Sequence, residues 1–433
     1  MEGSPVDDMD KFLEDIIAEF GSDSAEEDLE IRHIMEQRNT PQRISDGTSG
    51  YCSNRSNKFE NKMEPLHQKQ RMEKKPQVPK SNVEKRKPSG KLGVAGILAR
   101  TGIVLLETVL LVVIALYGVM FVLAKGPSVT ARDLFVRSVR ETSAAGFLAN
   151  IYFSEDEIAQ IEKVEEIEEF RETDTSLVSI IKPAENNQGP VEDEWGFIDE
   201  DGDGIILNEV KGEGFSGYMM IVLDPSRVIM GSVPASYNAR GYTVEEMVKH
   251  FDAVGGINAG GFYDPNGEGN GSIPDSMTVF EGVVYYAHLG TRQGFVGLDS
   301  NHVLHVGKPT AEEVKQWDIQ YGASFGPVLI ANGEVALPED NVGGLNPRTA
   351  IGQRSDGAIL LLVIDGRQVI SIGATLRDLV DIFLEYGAVN ACNLDGGSSS
   401  MMWFEDGYVN NTASVIGIRP VPTSFVVLKE GKQ

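Results

Sequence analysis

One long apolar run constrains this chain more than any other feature. Residues Ile103 to Leu123, IVLLETVLLVVIALYGVMFVL, carry one charged side chain, Glu107, near the first end of the run. As a helix rising about 1.5 Å per residue, such a run crosses a hydrocarbon core of about 30 Å. A buried helix of a soluble protein rarely stays apolar on every face over this length. The sequence therefore predicts a transmembrane helix within residues 93–125.

The flanks of this run indicate its orientation. Lys and Arg are frequent before it, from Arg71 to Arg100, whereas those after it, from Lys125 to Arg140, are soon outnumbered by carboxylates. An excess of cationic residues marks the cytoplasmic side of a membrane span. A cleaved signal peptide would open on a short basic region rather than on about a hundred polar residues. We therefore expect a single-pass signal anchor in the cell membrane, with a cytoplasmic N-terminus and an extracytoplasmic C-terminal domain.

Charge and cysteine content narrow the class of protein. The formal net charge is −27, and the part after the span is acidic, which argues against nucleic acid as a partner. The two cysteines, Cys52 and Cys392, lie on opposite sides of the predicted span and cannot pair. An exported domain without disulfides fits a Gram-positive bacterial envelope better than an animal secretory pathway.

Residues 1–92 are expected to form a disordered cytoplasmic region. Within residues 8–20, Phe12, Ile16, Ile17 and Phe20 recur at helical spacing. This short amphipathic helix is either a docking peptide for a cytoplasmic protein or a nascent helix without a partner. The remainder of the region is polar and basic and lacks apolar periodicity, and its basic stretch is of the kind that an anionic inner leaflet attracts.

Residues 126–194 are expected to form a helical stalk after the span. One helical pattern covers Thr130–Phe147. A second begins at Ser154, where Glu157 completes a capping box that satisfies the first free N–H groups of a helix. The stalk is expected to hold the following domain away from the lipid.

Residues 195–433 are expected to fold as one mixed, β-rich α/β domain outside the membrane. Short apolar runs such as YMMIVLD, AILLLVIDG and SFVVLK alternate with turns of Gly, Asn and Asp, which is typical of strands. Two helical patterns interrupt them, at Thr243–Ala253 and at Thr375–Tyr386. Each opens on a Thr suited to capping, and Gly387 follows the second.

Three Gly-rich segments carry the residues suited to chemistry: Asn258-Ala-Gly-Gly-Phe-Tyr-Asp264, Asn346-Pro-Arg-Thr-Ala-Ile-Gly352 and Asn393-Leu-Asp-Gly-Gly-Ser-Ser-Ser400. Adjacent glycines let a backbone approach a ligand and expose N–H groups that can hold an anion. Arg348 offers a planar fork for phosphate or carboxylate, and Asp395 follows a predicted strand. A single Gly-Gly pair is typical of a turn, whereas three such segments favour a site.

These segments resemble a known signature. NAGGF, NPRTAIG and NLDGGSS, in this order and with FGPVLIANGE between the first two, resemble the phosphodiester glycosidase family, which is related to the enzyme that uncovers mannose 6-phosphate. The resemblance covers about residues 215–430. It implies a mixed α/β domain that hydrolyses a sugar-1-phosphodiester, releasing the sugar and leaving a phosphomonoester. Carried over by motif, it implies Arg348 and Asp395 as catalytic residues, and as substrate-binding residues Asn258, Gly260, Gly261, Asn393, Gly396, Gly397 and Ser398.

The residue chemistry suggests a role for each part of this set. Arg348 and the loop N–H groups would hold the phosphodiester and stabilise the departing phosphate. Asp395 would act as base or nucleophile at the anomeric carbon, or stabilise positive charge on the sugar ring. Asn258 and Asn393 would orient sugar hydroxyls. Many relatives read DGGGS where this chain reads DGGSS, so Ser398 stands at a position that is usually glycine.

An acidic segment earlier in the domain is suited to a cation. Asp199-Glu-Asp-Gly-Asp-Gly-Ile205 has the acidic spacing and the glycine of a calcium loop. The closing position holds Val210, however, and Glu209 falls one place early. The segment is either a solvated acidic turn or a weak Ca²⁺ site formed by Asp199, Asp201 and Asp203. No other cofactor is expected.

The leading expectation is a membrane-anchored hydrolase of sugar-1-phosphodiesters that acts on cell-envelope glycans, exopolysaccharides included, or on glycolipids. The first alternative is a non-catalytic module that binds anionic wall glycans and recruits a cytoplasmic partner through its N-terminal peptide. A second alternative is a transferase that moves a sugar phosphate between acceptors in the same pocket. The expected partners are accordingly a sugar-phosphate polymer or glycolipid, and the membrane.

Overall fold

The computed structural model describes residues 94–142, 145–162, 172–181, 190–233, 240–264, 269–285, 292–338, 342–414 and 417–431. These residues belong to one structural unit, Gly90–Gln433. The amphipathic pattern at residues 8–20 and the polar region up to residue 92 lie outside the described residues.

The N-terminal region of this unit is helical. It comprises α1 (Val94–Lys125), α2 (Val129–Arg140), α3 (Phe147–Asn150) and α4 (Glu155–Glu162). The stretch Leu98–Lys125 of α1 has a mean hydropathy of 2.6 and is long and apolar enough to cross a membrane. The last turn of α1 packs against the three shorter helices. Its Ala124 is buried in one cluster with Val136 of α2, Ala149 of α3 and Ile158 of α4.

The stalk departs from its predicted outline in two ways. Its first helix ends at Arg140 rather than near Phe147, and the Thr142 N–H that follows donates to the Val139 carbonyl, three residues back instead of four. In addition, residues 172–181 lie against the strand domain, where the Ser179 N–H donates to the Ser355 carbonyl at 2.8 Å. The capping box at Ser154 and Glu157 is confirmed.

The domain that follows is rich in strands. Its helices are α5 (Val244–His250), α6 (Ala311–Gln316) and α7 (Leu376–Glu385). Its strands are β1 (Val191–Glu192), β2 (Ile198–Asp199), β3 (Ile205–Gly212), β4 (Phe215–Val222), β5 (Val228–Ser232), β6 (Ala253–Asn258), β7 (Thr278–Phe280), β8 (Val283–Tyr285), β9 (Phe295–Asp299), β10 (Leu304–Gly307), β11 (Ile319–Ser324), β12 (Val328–Ala331), β13 (Glu334–Val335), β14 (Arg348–Arg354), β15 (Ile359–Ile364), β16 (Ala388–Leu394), β17 (Met402–Phe404), β18 (Gly407–Tyr408) and β19 (Thr423–Leu428).

The described residues of the domain form three antiparallel sheets and the small β1–β2 pair. The largest has the order β13-β12-β16-β14-β15-β4-β3, and the other two have the orders β10-β9-β11-β7-β8 and β18-β17-β6-β19-β5. Two strands that end on candidate site residues, β6 and β16, lie in different sheets. A mixed, strand-rich domain with a helical N-terminal region is therefore confirmed.

The core follows from the two-residue period of the central strands. In β15, Ile359, Leu361 and Val363 belong to a core shared by the three sheets, whereas Leu360, Leu362 and Ile364 pack toward α7. Successive side chains of a strand point to opposite faces, so a continuous apolar run such as AILLLVID is a strand buried on both faces.

The helix ends agree with the capping residues read from the sequence. Thr243 and Thr375 each accept a hydrogen bond from the third helical residue, which in turn bonds back to the cap. Gly387, after α7, has a φ of +77°, a left-handed conformation that glycine adopts without a steric penalty. These contacts fix the N-terminal ends of α5 and α7, and Gly387 fixes the C-terminal end of α7.

Candidate active site

The three Gly-rich segments meet at one place in the fold. Asn258 at the end of β6 donates from Nδ2 to the Asp395 carbonyl oxygen at 2.6 Å, and its Oδ1 accepts from Thr349 Oγ1 at 2.8 Å. The Gly397 N–H donates to the Pro347 carbonyl at 2.9 Å. Direct hydrogen bonds therefore join segments that lie far apart along the chain.

The residues of the first segment build the floor of the site. Asn258 is completely buried and also accepts from the Met401 N–H, so its amide holds the Asp395 turn rather than facing solvent. Gly260 is buried, and a β-carbon there would lie 3.1 Å from that of Ala323. A β-carbon at Gly261 would lie 3.2 Å from the Phe325 ring. These glycines allow the close approach of segments that side chains would push apart.

Asp395 lies directly after β16, at the start of a tight turn. Burial raises the pKa of its carboxyl to about 6, while hydrogen bonds from Ser399 and Gly396 and the nearby Arg419 cation lower it. The Gly397 backbone has a φ of +62°, and Gly397–Ser399 forms one turn of 3₁₀ helix. Near neutral pH, Asp395 is therefore a mainly ionised, half-buried carboxylate.

Arg348 begins β14 and is largely buried. Its Nε donates to the Ala374 carbonyl at 3.2 Å, and its Nη2 donates to the Gly344 carbonyl at 2.6 Å and to Glu141 Oε2 at 2.8 Å. The carboxylate that pairs with this cation thus comes from the end of α2. The segment expected to act as a spacer contacts the candidate site directly.

Asn393 and Ser398 complete the set expected from the sequence. Asn393 is buried in β16, and its Nδ2 donates to the Gly326 carbonyl at 2.8 Å. Its Oδ1 is buried without a hydrogen-bond partner among the described residues. Ser398 is half-buried in the turn that follows Gly396 and Gly397. The sugar-binding roles of these residues stay predictions.

Two arginines at the site, Arg367 and Arg419, are not among the site residues predicted from the sequence. Arg367 Nη2 donates to Asn346 Oδ1 at 3.0 Å, and a β-carbon on Gly397 would lie 3.2 Å from the same nitrogen. The guanidinium of Arg419 lies 5.4 Å from the centre of the Phe262 ring, and its Nε is buried without a partner among the described residues. Asp395 was predicted because it is a functional side chain just after an apolar strand. Arg367 has the same signal, since it follows the end of β15 by three positions.

The pKa of Arg367 is affected by the other two arginines. Burial of the guanidinium lowers the pKa of Arg367, and the Arg348 and Arg419 cations lower it further, whereas Glu141 raises it. Neighbouring cations repel, and an anion among them relieves that repulsion. The surroundings of the Gly396–Gly397 turn therefore favour an anionic group.

The acidic segment before β3 brings its three aspartates together. Oxygen atoms of Asp199, Asp201 and Asp203 all lie within 4.8 Å of one another. Asp199 accepts hydrogen bonds from the N–H groups of Gly202 and Gly204, both at 2.9 Å. Because β3 begins at Ile205, the chain runs straight on rather than folding back to supply a closing ligand. The calcium site stays a prediction.

Comparison with known proteins bears on the strand domain. Residues 251–428 match the family model of phosphodiester glycosidases. The SPbeta prophage-derived protein YomE of Bacillus subtilis (strain 168) is 32% identical over 186 residues, which is 40% of this chain and 28% of that relative. The chain thus spans under a third of the length of this curated relative.

Solved structures show a weaker likeness. The catalytic domain of zebrafish N-acetylglucosamine-1-phosphodiester alpha-N-acetylglucosaminidase, in a form auto-inhibited by its pro-peptide, aligns with a TM-score of 0.44 and 18% identity over 52% of this chain and 82% of that chain. An exported protein of Burkholderia pseudomallei aligns with a TM-score of 0.40 and 17% identity over 49% of this chain and 74% of that one. The match of residues 251–428 to the family model of phosphodiester glycosidases confirms the resemblance that the three Gly-rich segments predict.

Proposed function

We propose that this protein hydrolyses sugar-1-phosphodiesters at the Gly396–Gly397 turn. One observation carries the proposal: the Asp395 carboxylate stands at a strand end beside the Gly396–Gly397 turn, with the Arg419 cation near the carboxylate and the Arg367 guanidinium against Gly397. Arg348 follows Pro347, whose carbonyl accepts a hydrogen bond from the Gly397 N–H. A phosphodiester presents one anionic group next to an electrophilic anomeric carbon. Arginine cations beside a half-buried carboxylate suit both the phosphate group and the anomeric carbon of such a substrate. The family match of residues 251–428 supports the same reaction class.

The proposed reaction divides the work between the arginines and Asp395. The arginines hold the phosphodiester and stabilise the phosphomonoester as it leaves with the electrons of the broken bond to the anomeric carbon. Asp395 acts as base or nucleophile at that carbon, or stabilises positive charge on the ring. Water supplies the hydroxyl of the free sugar, and its remaining proton passes to the phosphomonoester, by way of Asp395 where that carboxylate acts as the base. Asn258 serves by holding the Asp395 turn in place.

The proposed setting is the outside of a cell membrane. Helix α1 would anchor the chain, with the Lys- and Arg-rich N-terminal flank in the cytoplasm, and the strand domain would face the envelope. The length and apolar character of Leu98–Lys125 support this arrangement. The substrate would then be a sugar-phosphate polymer or a glycolipid of the envelope.

Release of free sugar tests the proposed reaction. Full-length protein in detergent micelles is incubated with an aryl or UDP-linked sugar phosphodiester, and free sugar is measured over time. Arg348→Ala, Arg367→Ala and Asp395→Asn are each expected to lower kcat/KM at least about a hundredfold, since each removes a charged group from the site. Arg377→Ala is the matched control, because Arg377 lies on α7 and pairs with Asp381 at 3.6 Å.

Each outcome decides between the candidate functions. Full activity in Arg348→Ala or Asp395→Asn would overturn the role assigned to that residue. Binding of sugar phosphodiesters without turnover would favour the non-catalytic module. Product that forms only when a sugar acceptor is added would favour the transferase.

A further inference from the structure

The carboxylate of Glu141, just after α2, occupies the cationic end of the candidate site. Its Oε2 accepts hydrogen bonds from Arg348 Nη2 and from Asn346 Nδ2, both at 2.8 Å. Its Oε1 accepts one from the Gly344 N–H at 2.8 Å. Three donors, of which one is a guanidinium, thus converge on the two carboxylate oxygens. Such a set of donors is an anion-binding site.

Neighbouring contacts hold this part of the chain in place. Gly344 lies so close to the last turn of α2 that a β-carbon there would be 2.5 Å from the Ser138 nitrogen. The Leu345 N–H donates to Ser138 Oγ at 2.9 Å. Arg367 Nη2 donates to Thr142 Oγ1 at 2.8 Å. Residues 138–142 therefore contact the loop before β14 and two of the three arginines.

The donors and the acceptor differ in origin. Asn346 and Arg348 belong to the NPRTAIG segment and lie within the residues that match the family, 251–428, whereas Glu141 lies outside them. The Glu141 side chain is 34% exposed, against 8% for that of Arg348. A ligand that approaches from solvent therefore meets Glu141 before it reaches the guanidinium.

We propose that Glu141 is an internal competitor for the phosphate group of the substrate. The inference rests on the proposed function, because it takes a phosphodiester as the ligand of Arg348. A phosphodiester carries one negative charge and two free oxygens, as a carboxylate does, so it can replace Glu141 on the same donors. Substrate binding then lifts residues 138–142 from the site, and the end of α2 is a cover that the substrate must displace.

Phosphate binding by the full-length protein in detergent micelles tests the competition. Inorganic phosphate is titrated calorimetrically into the wild type, Glu141→Gln and Glu162→Gln. Glu162 is the matched control, since this carboxylate of α4 pairs with Arg140 at 3.2 Å. The Gln side chain keeps the shape of Glu141 and loses its charge. We expect the Kd of phosphate to fall at least about tenfold in Glu141→Gln and to stay unchanged in Glu162→Gln.

Turnover separates this inference from the proposed function. For a sugar phosphodiester, Glu141→Gln is expected to lower KM by a similar factor with kcat unchanged. Tighter phosphate binding without turnover in any variant would uphold the competitor and reject the reaction. An unchanged Kd for phosphate, with a lower unfolding temperature, would overturn the inference and make Glu141 a structural brace. If Glu141→Gln does not fold, Glu141→Asp provides the same measurement, because its shorter carboxylate is expected to loosen the contact and lower the Kd.

Discussion

Asn258 Nδ2 donates to the carbonyl oxygen of Asp395 at 2.6 Å, across a sequence separation of 137 residues. The bond ties the end of β6, in one sheet, to the end of β16, in another. The position of the proposed catalytic carboxylate is therefore fixed by how two sheets are joined, and not by its own turn alone.

Removal of this amide is expected to loosen the whole site. Asn258→Ala leaves the buried Asp395 carbonyl, Thr349 hydroxyl and Met401 N–H without their partner, at a cost of roughly 3 kcal/mol in the free energy of unfolding. Thr349→Val removes one donor and is expected to cost roughly 1 kcal/mol. Urea unfolding of both variants and of the double variant measures these costs. If the double variant loses as much unfolding free energy as the two single variants together, the two residues do not share a network.

The pH dependence of activity is expected to follow Asp395. Because the pKa of its carboxyl is about 6, kcat/KM is expected to rise as the pH increases through 6 and the carboxylate forms. Asp395→Asn removes this rise together with most of the activity. Rates of sugar release between pH 4.5 and 8, at substrate concentrations well below KM, provide the check. A profile that is flat across pH 6 would exclude Asp395 as the ionising group.

Asp395 is also expected to make the fold less stable at neutral pH. Its pKa is raised from 3.8 in the unfolded chain to about 6, so the folded protein binds more protons between these values, and stability falls as the pH rises through that window. Above pH 6 the full cost, up to about 3 kcal/mol, is present. Asp395→Asn is therefore expected to raise the unfolding temperature at pH 8 and to have little effect at pH 4. A variant that is less stable than the wild type at pH 8 would contradict this.

Gly397 is expected to tolerate no side chain. Its φ of +62° costs an L-residue about 1–2 kcal/mol, and a β-carbon would lie 3.2 Å from Arg367 Nη2. Gly397→Ala should therefore lower both stability and substrate affinity. Gly407→Ala is the control, because nothing lies within 4 Å of a β-carbon at that position. Equal effects of the two substitutions on KM would argue against the close approach at the turn.

The family match and the folding unit have different boundaries. The match starts at residue 251, yet β4 pairs with β15 and β5 pairs with β19. A fragment of residues 251–433 lacks β3, β4 and β5 and would expose apolar side chains of β15, so it is expected to aggregate. A fragment of residues 90–433 is expected to unfold cooperatively in detergent. Calorimetry of both fragments measures their unfolding. A cooperative transition in the fragment of residues 251–433 would show that it folds without β3, β4 and β5, against this prediction.

The local features of the fold could be predicted well from the sequence. Caps such as Thr375 and the turn at Gly387 act through neighbours a few residues away, so they can be read directly. The meeting of Asn258 with Asp395 was expected only through the family resemblance, because no local rule brings two sheets together. Arg367 follows an apolar strand, as Asp395 does, and could have been predicted on the same ground. Arg419 lies in a loop, and only its contact with Phe262, far along the chain, shows that it belongs to the site.

The role proposed for Glu141 likewise could not be predicted from the sequence. Its segment reads as a helix end in a spacer, and nothing in its composition indicates the loop that it contacts. Only the packing of α2 against Gly344 reveals the relation, because the close approach depends on a missing side chain at Gly344 rather than on any feature of Glu141.

The covalent link between Glu141 and the domain sets how strongly it can compete. A group on a short tether acts at an effective concentration in the range of about 1 mM or more, and dilution does not lower it. A free anion must exceed that local concentration, weighted by its relative affinity, before it occupies the arginines. Under the proposed competition, dilute free phosphate would therefore bind weakly, and only a ligand at a high local concentration would occupy the arginines.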